Sequence, residues 1–254
     1  MGGGMTVSKP IAVVTGVSHS KGIGAAICRR LAQGGVSIFF IHWDSHDGWE
    51  EEFSSEIQQW GVNCLGMACD LGQVGIERQI FDKVTEEMGV PTILINNAAH
   101  SRRDGFDVLS SEIIDEHYVV NMRATMLLSV EFARRFKRHG LTCGRIVQMI
   151  SGQEQGPMPH ELAYVATKGA ISAFTLSLSA EVAPLGITVN AVNPGPTDTG
   201  WMKKEIKDAL QPKFLMGRIG QPDDAARIVS FLTSEEANWI TGQVIHSEGG
   251  FFRS

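Results

Sequence analysis

The chain has 254 residues, 43% hydrophobic and 20% charged, which is enough to bury a substantial core in one large domain rather than two. A formal net charge of −6 gives no cationic field for holding polyphosphate chains, so nucleic acid and anionic membrane are not expected as partners. No apolar run reaches the roughly 20 residues that span a bilayer. The N-terminus lacks a secretory apolar core, and Cys28, Cys64, Cys69 and Cys143 show no C-x-x-C spacing, so reduced thiols in a cytoplasmic protein are expected.

Residues 1–8, with their glycine runs, read as a flexible N-terminal segment, and a single domain is expected over residues 9–254. From Lys9 onward, short β-branched or apolar runs alternate with longer stretches of helical period, the pattern of βα units around a parallel sheet. The strand candidates in chain order are "IAVVT" (11–15), "VSIFFIHW" (36–43), "VNCLGMA" (62–68), "TILIN" (92–96), "RIVQMI" (145–150), "ITVNAV" (187–192) and "GQVIH" (242–246). Between them Ile23, Ala26, Ile27 and Leu31 recur at helical spacing, as do Phe53, Ile57 and Trp60, and Ile76, Ile80, Phe81 and Val84. The fold class is therefore α/β, a doubly wound, mainly parallel sheet of seven strands with helices on both faces. The long departure from this rhythm, about 197–222, follows a strand's carboxyl end and is expected to cover the substrate.

Directly after the first strand, "TGVSHSKGIGAAI" sets Gly16, Gly22 and Gly24 before an apolar helix. Glycine lets the backbone approach a pyrophosphate, and the helix N-terminus favours the anion. A glycine triplet alone fits an ordinary loop–helix junction equally well. Four further motifs follow in order: "INNAA" at 95–99, Tyr164 and Lys168 in "YVATK", "NPGPTDT" at 193–199 and "ITGQVIHSEGG" at 240–250.

Together these motifs resemble the short-chain dehydrogenase/reductase family from about residue 10 to 250, and most of all bacterial 3-oxoacyl-(acyl-carrier-protein) reductases and their relatives. The resemblance implies a Rossmann-type domain, NADPH or NADH as cofactor, and a homodimer or homotetramer. It also implies hydride transfer to a small-molecule or acyl-thioester carbonyl substrate. By the same resemblance the cofactor is expected on Gly16, Ser18, Lys21, Gly22, Ile23 and Gly24, on His42, on Asp70 and Leu71, on Asn97 and Ala98, on Pro194, Gly195, Thr197 and Thr199, and on Tyr164 and Lys168. The family's glycine loop has three residues between its first two glycines, whereas Val17 to Lys21 make five here, leaving the roles of Ser18, His19 and Ser20 open. This spacing also resembles the enoyl-reductase branch, but there the tyrosine and lysine stand farther apart than in "YVATK".

NAD-preferring members commonly carry an acidic residue at the end of the second strand, a position that falls on His42. Lys21 matches a basic position of NADP-preferring members, which favours NADPH. Lys21 equally suits a solvated loop and His42 a packing role at the strand end, and Asp44 swung onto the ribose would restore NAD preference. Asp70 matches a contact to the adenine amino group and equally suits a helix N-cap. Asn96 matches an asparagine that supports the sheet and ribose region, and Ala99 replaces the usual glycine.

Tyr164 and Lys168 lie four residues apart and so share a helix face. Bringing a phenol from its ordinary pKa near 10 to about 7 takes roughly 4 kcal/mol of anion stabilisation. An ammonium about 4 Å away, at an effective dielectric near 20, supplies about that amount. The resemblance implies a catalytic set of Asn121, Ser151, Tyr164 and Lys168: Tyr164 protonates the carbonyl oxygen, Ser151 holds it, and Asn121 anchors a water linking the lysine to solvent. Read singly, Ser151 also suits a turn and Asn121 a helix hydrogen-bonder.

An NAD-linked alcohol, sugar or steroid dehydrogenase on the same scaffold, or a nucleotide sensor without turnover, are the alternatives. The histidines form no H-E-x-x-H motif, so no metal centre is expected. "RRFKRH" (134–139) reads as a solvated helix end, with docking of an acidic carrier protein as the alternative. Trp201 and Met202 suit either a substrate pocket or an anchor for the covering segment.

Overall fold

The β-branched and aromatic runs form seven strands: β1 (Ile11–Thr15), β2 (Ser37–His42), β3 (Cys64–Ala68), β4 (Ile93–Asn96), β5 (Gly144–Met149), β6 (Ile187–Asn193) and β7 (Val244–His246). These come from a computed structural model that describes residues 9–253; the expected flexible segment 1–8 lies outside the described residues. Every boundary falls within two residues of the sequence expectation. The order is β3-β2-β1-β4-β5-β6-β7, with all neighbours parallel. The chain leaves β1 toward β2 and returns on β1's other side as β4, so the carboxyl ends of β1 and β4 frame the crevice of a doubly wound sheet.

Among the described residues there are eight α-helices, of which all but α7 belong to the body of the fold: α1 (Ile23–Gln33), α2 (Trp49–Gln58), α3 (Ile76–Glu87), α4 (Ser111–His117), α5 (Thr125–Arg138), α6 (Leu162–Val182), α7 (Lys204–Leu210) and α8 (Pro222–Thr233). Strand side chains alternate between two cores. Ala12, Val14, Ile38 and Phe40 meet α1, α2 and α8, while Val13, Phe39, Ile41 and Leu94 meet α3, α5 and α6. The expected face Ile76, Ile80, Phe81 and Val84 is buried, as are Ile27, Leu31, Phe53 and Ile57, but Trp60 falls beyond the end of α2 and is 38% exposed. A buried polar link joins β4, β5 and α5: Asn96 Nδ2 donates to Ser129 Oγ at 3.0 Å and to Gln148 Oε1 at 2.9 Å. Asn96 thus braces the sheet from within.

The segment 197–222 contains α7 and closes on its own small core of Met202, Phe214 and Ile219, against which Ile206, Leu210 and Phe251 pack. Met202 is therefore an anchor. Trp201 is 54% exposed and donates its indole N–H to Thr197 O at 3.1 Å. All four cysteines are unpaired, and burial pushes the Cys64 and Cys69 thiols up to about 12 and about 11. Among the described residues no helix is long and apolar enough to cross a membrane.

Trp49, at the start of α2, is 2% exposed, stacks on Phe53 and donates its indole N–H to Val17 O at 2.7 Å. It pins the glycine loop from beneath. Trp49→Phe keeps an aromatic ring but strips the Val17 carbonyl of that donor, so urea unfolding should show a loss of about 1–3 kcal/mol. An unchanged midpoint would show that the indole bond contributes nothing.

Candidate active site

The crevice between β1 and β4 is built from backbone brought unusually close. Gly16 has φ +74°, and a Cβ there would stand 2.6 Å from Ala98 Cα; a Cβ on Gly24 would stand 2.7 Å from Gly16 O and 2.8 Å from Asn97 Nδ2. No side chain fits at either position. Asn97 closes the junction, donating from Nδ2 to Thr15 O and Gly16 O at 3.0 Å each, while Thr15 Oγ1 accepts from the Asn97 and Ala98 N–H groups at 3.0 Å. Helix α1 starts at Gly22 with no side-chain cap and no acidic residue in its first turn, so its N–H groups remain available to an anion. A close backbone approach and an uncapped helix start are what a pyrophosphate requires, and a dinucleotide therefore fits these residues.

A cleft of about 700 Å³ opens there, lined by Gly16, Ser18, Gly22, Ile23, His42, Asp70, Leu71, Asn97, Ala98 and Thr199 among others. Gly24 lies behind the loop, where it allows α1 to pack. The five residues Val17 to Lys21 fold into a turn in which Gly22 N donates to His19 O at 3.2 Å, and the His19 ring lies over Gly22. Ser18 Oγ accepts from Trp43 N at 3.1 Å, which joins the loop to the end of β2.

Two expected contacts, Lys21 and Thr197, lie outside this cleft, while His42 and Asp70 line it with side chains engaged in local hydrogen bonds. Lys21 is exposed and lies toward Gly200, lining a separate groove of about 640 Å³ with Arg29, Arg30, Asp198 and Lys207. The long loop turns it away from the end of β2. His42 has both ring nitrogens engaged, Nδ1 with Ser45 Oγ at 3.1 Å and Nε2 with Glu50 Oε2 at 3.2 Å, so it is a packing residue at the cleft wall. Asp70 is not a helix N-cap: Oδ1 accepts from Gly72 N at 2.7 Å to close a turn, and α3 is preceded by Gly75. Thr197 is buried and donates to Gly195 O at 3.1 Å, inside the turn rather than toward the cleft, while Gly195 N donates to Asn193 Oδ1 at 2.9 Å in the turn begun by Pro194. His42 and His46 stand four residues apart, yet no cluster able to hold a metal ion occurs among the described residues.

The second half of the site lies at the ends of β4 and β5 and on α6. Lys168 is 3% exposed, donates from Nζ to Met149 O at 2.7 Å, and stands 5.6 Å from the centroid of the Tyr164 ring. Burial lowers its pKa to about 8. Burial likewise pushes the partly covered Tyr164 phenol up to about 12, opposed by the Ser151 hydroxyl and reinforced by the Glu161 charge. In the protein without nucleotide, burial thus acts against the lowering expected from the lysine. Desolvation is the largest cause, and the Lys168 ammonium is committed to a backbone carbonyl.

Ser151 sits two residues beyond β5, where its Oγ donates to Met158 Sδ at 3.9 Å and its hydroxyl meets the Tyr164 phenol. Asn121 lies in a π-helical turn, Tyr118–Ala124, that joins α4 to α5. Its Oδ1 accepts from His100 N at 2.6 Å, and Nδ2 donates to His100 O at 2.9 Å and Thr167 Oγ1 at 3.2 Å, tying the loop after β4 to α6 beside Lys168. Asp104 is a site residue that sequence reasoning missed. Its buried carboxylate accepts from Leu162 N at 2.6 Å and Ala163 N at 2.8 Å, capping α6 two residues before Tyr164.

A glycine-lined dinucleotide crevice beside a tyrosine–lysine helix defines the class of nicotinamide-linked α/β oxidoreductases. A family model described as enoyl-(acyl carrier protein) reductase matches residues 16–252. The chain is 60% identical over 243 residues to the uncharacterized oxidoreductase YjdA of Bacillus subtilis strain 168, covering 96% of this chain and 97% of that one. It is 32% identical over 246 residues to the 3-oxoacyl-(acyl-carrier-protein) reductase FabG of Aquifex aeolicus, covering 95% and 97%. Among solved structures, the acetoin dehydrogenase YohF from Salmonella typhimurium superposes with a TM-score of 0.86 at 29% identity, covering 96% of each chain. The chain belongs to the short-chain dehydrogenase/reductase family and is an NAD(P)-dependent oxidoreductase.

The Lys168 amine has a folded pKa of about 8 against an ordinary 10.5, so between these values the unfolded chain binds more protons and stability rises with pH. Lys168→Met removes that contribution. Its stability relative to wild type, from urea unfolding at fixed ionic strength, should fall steadily from pH 8 to pH 10.5. A difference independent of pH would show an amine that is not desolvated.

Proposed function

We propose that this oxidoreductase is an NADPH-dependent carbonyl reductase acting on a 3-oxoacyl thioester or a similar ketone. The observation that carries this reading is the placement of Tyr164, Lys168, Ser151 and Asn121 together at the carboxyl ends of β4 and β5, next to the glycine-lined crevice. A nicotinamide held in that crevice supplies the hydride that makes the new C–H bond.

The chain's own groups supply the rest. The Ser151 hydroxyl donates to the carbonyl oxygen and fixes its position. Tyr164, a phenol that is protonated at neutral pH, holds the proton that closes the O–H bond. Lys168, buried one helical turn away and held on the Met149 carbonyl, sets an ammonium beside the phenol as it gives up its proton. Asp104 and Asn121 keep α6 in register with β5. The one-turn spacing of Tyr164 and Lys168 supports carbonyl reduction over reduction of a carbon–carbon double bond.

One observation supports NADPH over NADH: position 42, at the cleft wall, offers no carboxylate to the ribose. A dimeric or tetrameric assembly in the cytoplasm belongs to the same proposal; exposed Leu176 (63%), Phe106 (89%) and Trp239 (98%) support association.

A panel of carbonyl compounds that includes acetoacetyl-CoA, followed by loss of reduced-cofactor absorbance, tests the reading. Turnover should be faster with NADPH than with NADH at equal concentration, and Tyr164→Phe should lower kcat/KM by at least about 100-fold with cofactor affinity held within about twofold. Full turnover by the variant would remove Tyr164 as the acid, and NADH preference would overturn the choice of cofactor.

A further inference from the structure

The chain's penultimate residue, Arg253, folds back onto the turn that follows Ser151. Its Nη1 donates to Gln155 Oε1 at 2.7 Å and to Glu248 Oε1 at 2.8 Å, and its Nη2 donates to Glu248 Oε2 at 2.6 Å. The Phe251 ring lies 5.0 Å from the guanidinium carbon. The Arg253 and Glu248 side chains are 14% and 9% exposed, so this is a largely desolvated, bidentate pair, and removing one partner leaves a covered charge unmatched.

The fit against the turn is tight. A Cβ on Gly152 would fall 2.0 Å from Arg253 Nη2, and one on Gly156 would fall 3.2 Å from Arg253 Cβ. Gly152 does not have a positive φ, so a side chain there would meet the guanidinium in its present position and no backbone strain. The turn itself is closed by Gln155 N donating to Gly152 O at 3.0 Å.

The same tail reaches two other parts of the site. Glu248 Oε2 accepts from Asn193 Nδ2 at 2.9 Å, and Asn193 Oδ1 accepts from Gly195 N, so the carboxylate also steadies the segment after β6. Phe252 N donates to Lys213 O at 2.8 Å, Met216 N donates to Gly249 O at 3.2 Å, and the Phe251 ring packs on Phe214 at 4.9 Å. The tail that carries this ion pair thus touches both the Ser151 turn and the covering segment.

We infer that Arg253 is a positioning residue for Ser151: a C-terminal strap, locked by the Arg253–Glu248 pair, moulds the turn 151–156 and holds the covering segment against it. The inference rests on the proposed role of Ser151 in carbonyl reduction. Arg253 acts through Gly152 and Gln155, so its loss falls on ketone placement and spares the glycine-lined cleft.

Hydrogen exchange on the full-length protein needs no substrate. Arg253→Ala should speed exchange of amides in 151–156 and 213–216 by about tenfold or more, leaving the β1–α1 loop unchanged, and Arg253→Lys should restore part of the protection. Gly152→Ala should destabilise the wild type but be tolerated in the Arg253→Ala background, a non-additivity read from melting temperatures if either single variant folds poorly. With acetoacetyl-CoA, or the best ketone of the panel, Arg253→Ala should lower kcat/KM by about tenfold while NADPH affinity stays within about threefold. Unchanged exchange in both segments, additive Gly152 and Arg253 effects, or faster exchange with full turnover would each overturn the inference. Faster exchange in a wild-type background that reduces no ketone would support the strap and count against the proposed activity instead.

Discussion

A buried ammonium one helical turn from a phenol is the constraint on which the site depends. Water would stabilise both charged forms, and α6 places both groups where little water reaches, so desolvation favours the neutral amine and the neutral phenol together. An ammonium buried without an acceptor would cost several kcal/mol. The Met149 carbonyl at the end of β5 is that acceptor, and it fixes the height of α6 against the sheet. Asp104 fixes the helix start and Asn121, through Thr167, its side. These restraints come from the loop after β4, the π-helical turn and β5, so the catalytic face of α6 is assembled by segments far apart in the chain.

The cofactor side obeys a different rule, that of proximity. Gly16, Gly24 and Asn97 bring the end of β1, the start of α1 and the end of β4 into backbone contact, and the first turn of α1 is left uncapped toward the crevice. Asn97 and His100 lie only a few residues apart on the strand exit of β4, and His100 is held by Asn121. The dinucleotide crevice and the tyrosine–lysine face are therefore rigidly connected.

Strand positions and the parallel sheet were legible because each strand is a compact apolar run and each helix carries its own period. The glycine loop and the Tyr164–Lys168 spacing were legible because both are local. Asp104 was not, since it caps a helix that begins 58 residues later along the chain and no local pattern marks it. The π-helical turn around Asn121 interrupts no apolar period, and the inward turn of Thr197 depends on the fold of the segment after β6. The desolvation that raises the Tyr164 pKa was not legible in the sequence, because only packing reveals it. The direction of Lys21 escaped for a related reason: two extra loop residues alter which groove a side chain enters.

Tyr118 is the only other tyrosine and is 41% exposed, so a Tyr118→Phe protein carries a single phenol whose titration can be followed by ultraviolet difference absorbance. In the protein without nucleotide, Tyr164 should titrate well above its ordinary value of 10.0, near 12. A phenol titrating at or below 10.0 would contradict a site governed by burial.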